Sequence, residues 1–156
     1  MQKYKVYINN EHKEVTDNWD EFCSKYTFVE AAGGVVYNSI NQLLMIFRNQ
    51  KWDLPKGKLE DNEKISQCAI REVQEECGVR NLQIISQLQN TYHIYDLNGE
   101  SILKCTYWFK MRTNFTDKLI PQISEGITNV EWINKRNIAE KLENSYGNIR
   151  DVLMYA

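Results

Sequence analysis

The chain predicts a single α+β domain, a mixed sheet flanked by helices, and three observations lead there. Short segments rich in Val, Ile, Tyr and Phe recur along the chain, as strands do. One sharply bounded helical segment, 63–77, stands between two groups of them. No repeat, low-complexity tract or Pro/Gly/Ser-rich linker divides the 156 residues, which at 42% apolar and 12% aromatic content suffice for one core and not for two ordinary domains.

Residues 3–8 (KYKVYI) predict a strand, followed by a turn at Asn9-Asn10, a short strand near 13–15 and a helix near 18–26. Residues 1–27 so described form an N-terminal addition that completes the sheet, contacts a second copy in a homodimer or shapes the pocket. From Phe28, FVEAAGGVVY and LLMIF predict two apolar strands around a turn at Asn38–Gln42, the second ending at Arg48. A polar loop covers Asn49–Asn62. Helix 63–77 follows, with Asp61 or Asn62 placed to cap it and Gly78 to end it in a left-handed conformation. Strands are expected near 82–88, 90–96 and 101–112, the last two joined by Asn98-Gly99, a strong hairpin signal. A strand near 127–133 and helices near 135–143 and 147–155 complete the chain.

The net charge of −2 and a pI near 5.8 supply no global positive field, so a polymeric nucleic-acid partner is not expected. MQKYKVYINN lacks the apolar stretch of a secretory signal and no apolar run is long enough to span a bilayer, which points to a cytoplasmic protein without a membrane partner. Cys68 and Cys77 fall on one helix, about 13–14 Å apart at the usual rise, beyond disulfide reach. Reduced thiols are expected throughout, Cys23 and Cys105 included. His12 and His93 read as surface or packing residues, and no close Cys/His spacing suggests zinc.

Wound at roughly 100° per residue, the helix places Glu72, Glu75 and Glu76 within one arc of about 100°, with Ile70, Val73 and Cys77 on an apolar seam. Like charges at i+3 and i+4 repel, and the nearby helix C-terminus disfavours anions as well. Arg71, four residues before Glu75, offsets part of the excess. A hard divalent cation would remove the remainder, with Mg²⁺ the usual choice where phosphates supply further ligands. Taken alone, three glutamates describe an ordinary solvated helix face. The surroundings reverse that reading.

From Gly57 the chain runs five residues to Glu63, seven more, then Arg71-Glu72-Val73-Gln74-Glu75-Glu76-Cys77-Gly78-Val79. This resembles the signature of the Nudix hydrolases at every defined position, and a chance match in this length is on the order of one in ten million at ordinary residue frequencies. The resemblance implies a Nudix-type α/β/α sandwich with a loop-helix-loop catalytic motif, in which helix glutamates bind Mg²⁺, or Mn²⁺ in its place, around the substrate's phosphates. By position it implies Glu72 and Glu76 as metal ligands, Glu75 as ligand or base, Arg71 as their orienting partner, and Gly57 as the residue whose backbone approaches the metal. Glu125, in SEGITNVEW, resembles an additional metal-binding or basic glutamate of some members, which makes Glu75 and Glu125 the two candidates for the base. Hydrolysis of a pyrophosphate needs phosphate oxygens neutralised and a water made more acidic, which a metal supplies.

Arg48, Lys51, Lys56 and Lys58 bracket the loop before the helix, with Arg48 and Lys56 the preferred pair for phosphates. WDLPKGKLE and KCTYWFKM resemble members acting on dinucleoside polyphosphates or diphosphoinositol polyphosphates, and Tyr92 and Tyr95 resemble a tyrosine of the former. Trp52, Tyr92, Tyr95 and Tyr107 are candidates to stack a base, with Trp52 and Tyr95 preferred. The expected substrate is a small phosphorylated molecule, foremost a dinucleoside polyphosphate or related nucleotide. A diphosphoinositol polyphosphate and a non-catalytic nucleotide-binding regulatory role are the alternatives.

Overall fold

A computed structural model describes residues 2–154 and 156 of the protein. β1 (Tyr4–Ile8) and β2 (Glu11–Val15) form the hairpin expected at Asn9-Asn10. Both asparagines take positive φ, 53° and 70°, as a two-residue primed turn requires. So tight a turn pairs Glu11 and His12 with Ile8 and Tyr7, and β2 therefore starts earlier than expected. α1 (Trp19–Ser24) is shorter than the 18–26 expected because Asn18 is itself left-handed.

β3 (Thr27–Tyr37) and β9 (Glu100–Arg112) form the spine, paired in parallel from Thr27–Ile102 to Tyr37–Arg112. β4 (Leu43–Arg48) joins β10 (Ile127–Ile133), while β8 (Thr91–Leu97) lies antiparallel to β9 and parallel to β1. The main path of the sheet is β10-β4-β3-β9-β8-β1-β2. Strand alternation sorts the core into two layers. Ala32, Val36, Leu44, Ile46, Phe109 and Met111 meet α2 (Ile65–Cys77) on one face. Val35, Leu43, Met45 and Trp108 meet α3 (Ile138–Leu142) and α4 (Gly147–Met154) on the other. At about 1.5–3 kcal/mol for each large apolar side chain removed from water, these two layers fix the expected α/β/α sandwich. A third cluster, Val6, Ile94 and Leu103 with Trp19 and Phe22 against it, attaches the N-terminal addition to the β8 edge.

Several boundaries differ from expectation. The segment Asn49–Asn62 is not wholly loop: β5 (Lys51–Asp53) folds back on β4 through Asn49-Gln50, both at positive φ, and β6 (Lys56–Lys58) pairs with Ala31–Gly33 of β3. Strands of three residues are too short for alternation to show in sequence. α2 begins at Ile65 rather than 63, and neither Asp61 nor Asn62 caps it. The first residue flanking it is Lys64, whose side chain only donates, and Gln67 accepts the Lys64 N–H at 3.1 Å. Gly78, at φ 73°, ends the helix as expected. The apolar seam of α2 is wider than three residues, adding Cys68 and Ala69 to Val73 and Cys77, while Ile70 is only partly buried. β7 (Gln83–Gln87) is shorter than 82–88. The expected helix near 135–143 is a 3₁₀ turn, Lys135–Asn137, leading into α3. Of the segment 147–155, α4 accounts for all but position 155, which lies outside the described residues. All four cysteines are free, and no helix among the described residues is long and apolar enough to cross a membrane.

Candidate active site

Arg71 organises the acidic face of α2. Its Nε and Nη2 donate to the two oxygens of Glu63 at 2.6 and 2.9 Å, while Nη1 donates to Glu72 at 2.7 Å and Glu75 at 3.1 Å. Nη2 also reaches the carbonyl of Lys58, which ties the helix to the preceding strand. The pair with Glu75 suggested by the i+4 spacing thus forms, while Glu63 takes the two-pronged contact. Glu63 stands at a defined position of the signature, and that position was its only sequence signal. The Arg71 guanidinium holds the Glu63 carboxyl down at about 2.

Glu72 lies against Gly57, where a Cβ would overlap its carboxyl group, so glycine there is a matter of space. Cys68 Sγ meets the Gly57 carbonyl from below at 3.5 Å. Burial raises Glu72 above the usual carboxylate range; Arg71 opposes this, and the charges of Glu75 and Glu125 add to it. Glu76 is only 3% exposed and accepts the backbone N–H of Lys56 at 3.0 Å. Burial pushes its carboxyl up to about 7 against the pull of Lys56 and Arg48. Glu75 is exposed, and Glu125 ends a 3₁₀ turn at Gly126, also exposed.

The donors here are carboxylate and carbonyl oxygens, which suit a hard divalent cation. Glu76, where burial opposes the charged carboxylate, and Glu72, pressed into the space Gly57 leaves, are groups whose charged forms such a cation would favour. No three His, Cys, Asp or Glu side chains among the described residues converge on one point, because Glu72 and Glu75 turn to Arg71 while Glu76 turns to the Lys56 N–H.

Beyond β6 opens a cavity of about 410 Å³. Lys56 joins it to the helix: its backbone binds Glu76, and its side chain, ion-paired with Asp53, lines the cavity. Arg48 and Tyr95 line it as well, so three of the four residues preferred from the sequence for substrate contact come together. Trp52 does not. It packs beside Phe47, with centroids 5.0 Å apart, under Lys141 and against the α3–α4 side of the core. Tyr92 also faces away, edge-on to Trp19 at 4.9 Å, and Tyr107 donates to Glu30 at 2.7 Å on the α2 face. Lys51 stands over the Tyr146 ring, and Lys58 is exposed.

Sequence reasoning missed Lys104, His93, Tyr7 and Asn10, all of which line the cavity. His93 packs against Tyr95, with ring centroids 5.4 Å apart, and its ring forms part of the cavity wall. Burial, then the charges of Lys104 and Lys56, lowers the pKa of His93, with Asp53 opposing. Tyr7 and Asn10 bring the N-terminal addition into the wall: the Tyr7 hydroxyl donates to Asp151 at 2.5 Å, and Asn10 accepts the N–H of Gly147 at 2.7 Å. Two of the three roles left open for residues 1–27 are therefore filled, since they both extend the sheet and shape the pocket.

A three-layer sandwich that holds a glutamate-bearing loop-helix-loop at the edge of its sheet is a Nudix-type fold. The chain belongs to that family: the NUDIX domain matches residues 27–153. It is 33% identical over 88 residues to an RNA pyrophosphohydrolase of Bartonella tribocorum, covering 54% of this chain and 50% of that protein. It is 30% identical over 91 residues to a putative mutator protein MutT4 of Mycobacterium tuberculosis, covering 58% of this chain and 36% of that one. The chain thus spans half or less of the length of these relatives. Among solved structures, a C. elegans Ap4A hydrolase in a binary complex superposes with a TM-score of 0.64 at 23% identity, over 81% of this chain and 93% of that one.

Proposed function

We propose that the chain is a pyrophosphohydrolase that cleaves an anhydride bond in a nucleotide substrate, with Glu72, Glu75, Glu76 and the backbone at Gly57 holding Mg²⁺ or Mn²⁺. The observation that carries this reading is the complete signature folded beside a cation-lined cavity, with Lys56 shared between the two. A divalent cation, when bound, supplies positive charge to the phosphate oxygens and acidity to the attacking water. The residues do the rest. Arg48 and Lys56 attract the phosphate chain, and Arg71 fixes Glu72 and Glu75. The water oxygen attacks phosphorus, the anhydride P–O bond breaks, and the bridging oxygen leaves with the second phosphate. The water's proton passes to a carboxylate, and Glu125 is preferred over Glu75 because Arg71 already occupies the latter.

The substrate favoured is a dinucleoside polyphosphate or related nucleotide, supported by the fold shared with an Ap4A hydrolase and by Tyr95 at the cavity. A second reading, the 5′-phosphate end of an RNA, is favoured by the Bartonella relative. The low net charge bears on gripping a polymer, not on holding its phosphorylated end. The test is product release with Mg²⁺ from diadenosine polyphosphates, ADP-ribose, nucleoside triphosphates, diphosphoinositol polyphosphates and a 5′-triphosphate oligonucleotide, comparing the native chain with Glu76→Gln. An outer-shell partner of a metal is worth about 10–100-fold, so loss of this ligand should cost at least the upper figure. Equal rates in the two proteins, or no cleavage by folded native protein, would overturn the proposal.

A further inference from the structure

The cavity holds more positive charge than the helix chemistry uses. Its floor is a row of three side chains on neighbouring strands: Tyr7 of β1 pairs with His93 of β8, and His93 with Lys104 of β9. β1 lies outside the residues matched to the family, so the far end of this row is supplied by the N-terminal addition. Arg48 and Lys56 line the cavity as well, and of the two only Lys56 is paired with a carboxylate, that of Asp53. Neither Lys104 nor Arg48 forms an ion pair among the described residues.

An amine drawn into a cavity without a counter-ion is costly and needs a compensating ligand. Here the cost is visible. Burial, then the charges of Lys56 and Arg48, pulls Lys104 down to about 8, with Asp53 and Glu76 opposing. Asp53, the carboxylate lining the same cavity, is already paired with Lys56, so an anion from outside is what would make up the deficit. Because the Lys56 backbone touches Glu76 while its side chain enters the cavity, an anion beside Lys104 is continuous with phosphates held at the helix.

We infer that Lys104, with Arg48, forms a subsite for a third phosphate of the substrate, beyond the two joined by the bond that is cut. It thereby selects nucleotides bearing three or more phosphates over those with a single diphosphate linkage. The inference rests on the reading of the helix and cavity as a pyrophosphohydrolase site. It goes further by making the length of the phosphate chain a property this cavity measures, with Lys104 a specificity-determining residue and the helix glutamates indifferent to it.

Two measurements test it on the full chain. The first compares kcat/KM for diadenosine tetraphosphate and a nucleoside triphosphate with that for ADP-ribose, in native protein, Lys104→Gln and Lys104→Arg. Hydrogen bonds to charged partners are worth enough for a loss of about tenfold or more. Lys104→Gln should lose that much on the longer chains, chiefly in KM, with little change on ADP-ribose, and Lys104→Arg should keep most of the native value. Equal losses on both classes, or none on the longer chains, would overturn the subsite. The second is calorimetric titration with inorganic tripolyphosphate in EDTA, which does not require turnover. Native protein should bind it and Lys104→Gln should bind it at least about tenfold more weakly. Binding that depends on Lys104 in a protein that cleaves nothing would sink the hydrolase reading and, with it, the third-phosphate role, leaving Lys104 as a polyphosphate-binding residue alone. Equal binding by both proteins would remove the subsite and leave the hydrolase reading untouched. Thermal unfolding of each variant excludes a fold defect, and loss of an unpaired cation is not expected to lower it.

Discussion

Replacing Arg71 by alanine tests the claim that one guanidinium holds the acidic helix face together. Arg71 is 23% exposed, and its main partners Glu63 and Glu72 are 12% each, so the substitution leaves two poorly solvated carboxylates without a cation. Removing one partner of a fully buried pair costs about 3–5 kcal/mol, and an exposed pair is worth at most about 1 kcal/mol. The partial exposure here places the cost between them, at about 2–3 kcal/mol. Urea unfolding at pH 7 measures it as a lower midpoint with an unchanged slope. The pH dependence carries a second signature. Glu63 is held at about 2 against an ordinary 4.5, so its contribution is complete above 4.5 and fades as pH falls toward 2. The gap between native protein and Arg71→Ala should therefore narrow as the pH is lowered through that window, followed as far as both remain folded. A gap below about 1 kcal/mol at pH 7, or one that does not narrow in acid, would refute the argument.

Two further outcomes follow from the same geometry. Gly57→Ala sets a methyl group against the Glu72 carboxyl, so activity should fall at least about tenfold while urea stability changes by less than about 1.5 kcal/mol; unchanged kcat/KM would show that Glu72 has room to move. Lys104→Met should be more stable than native protein at pH 7, by about 1–3 kcal/mol. The sign follows from Lys104 sitting at about 8 against an ordinary 10.5: the unfolded chain binds the extra proton, native stability rises as pH climbs between those values, and the advantage of the variant should disappear above them.

The parts of this molecule legible in the sequence are those fixed by local rules. Asn9-Asn10, Asn98-Gly99 and Gly78 announce their turns because few residues accept positive φ. α2 and its glutamates were readable from spacing, and the alternation of β3, β4 and β9 gave strands and a core. What escaped depends on neighbours distant in sequence. β6 exists because Ala31–Gly33 are there to pair with it, and Trp52 faces Phe47 rather than the cavity because β5 folds back on β4. Lys104 sits within the apolar run KCTYWFKM, where its charge resembles a surface position of an alternating strand. Only the parallel pairing of β1 with β8 turns that face into a cavity floor.

The pairing of β3 with β9 also has a kinetic side. Thr27 finds Ile102 only after the intervening chain, α2 included, has closed into a loop, and such long-range parallel pairing is slow to form. The layer α2 docks on is complete only when that closure has been made, because β9 supplies Phe109 and Met111 to it. The final seating of α2, and with it the fixed crowding of Glu72, Glu75 and Glu76 beside β6, is consequently a late event in folding. Substitutions on that face should leave the rate of folding nearly untouched and alter the rate at which the native state opens.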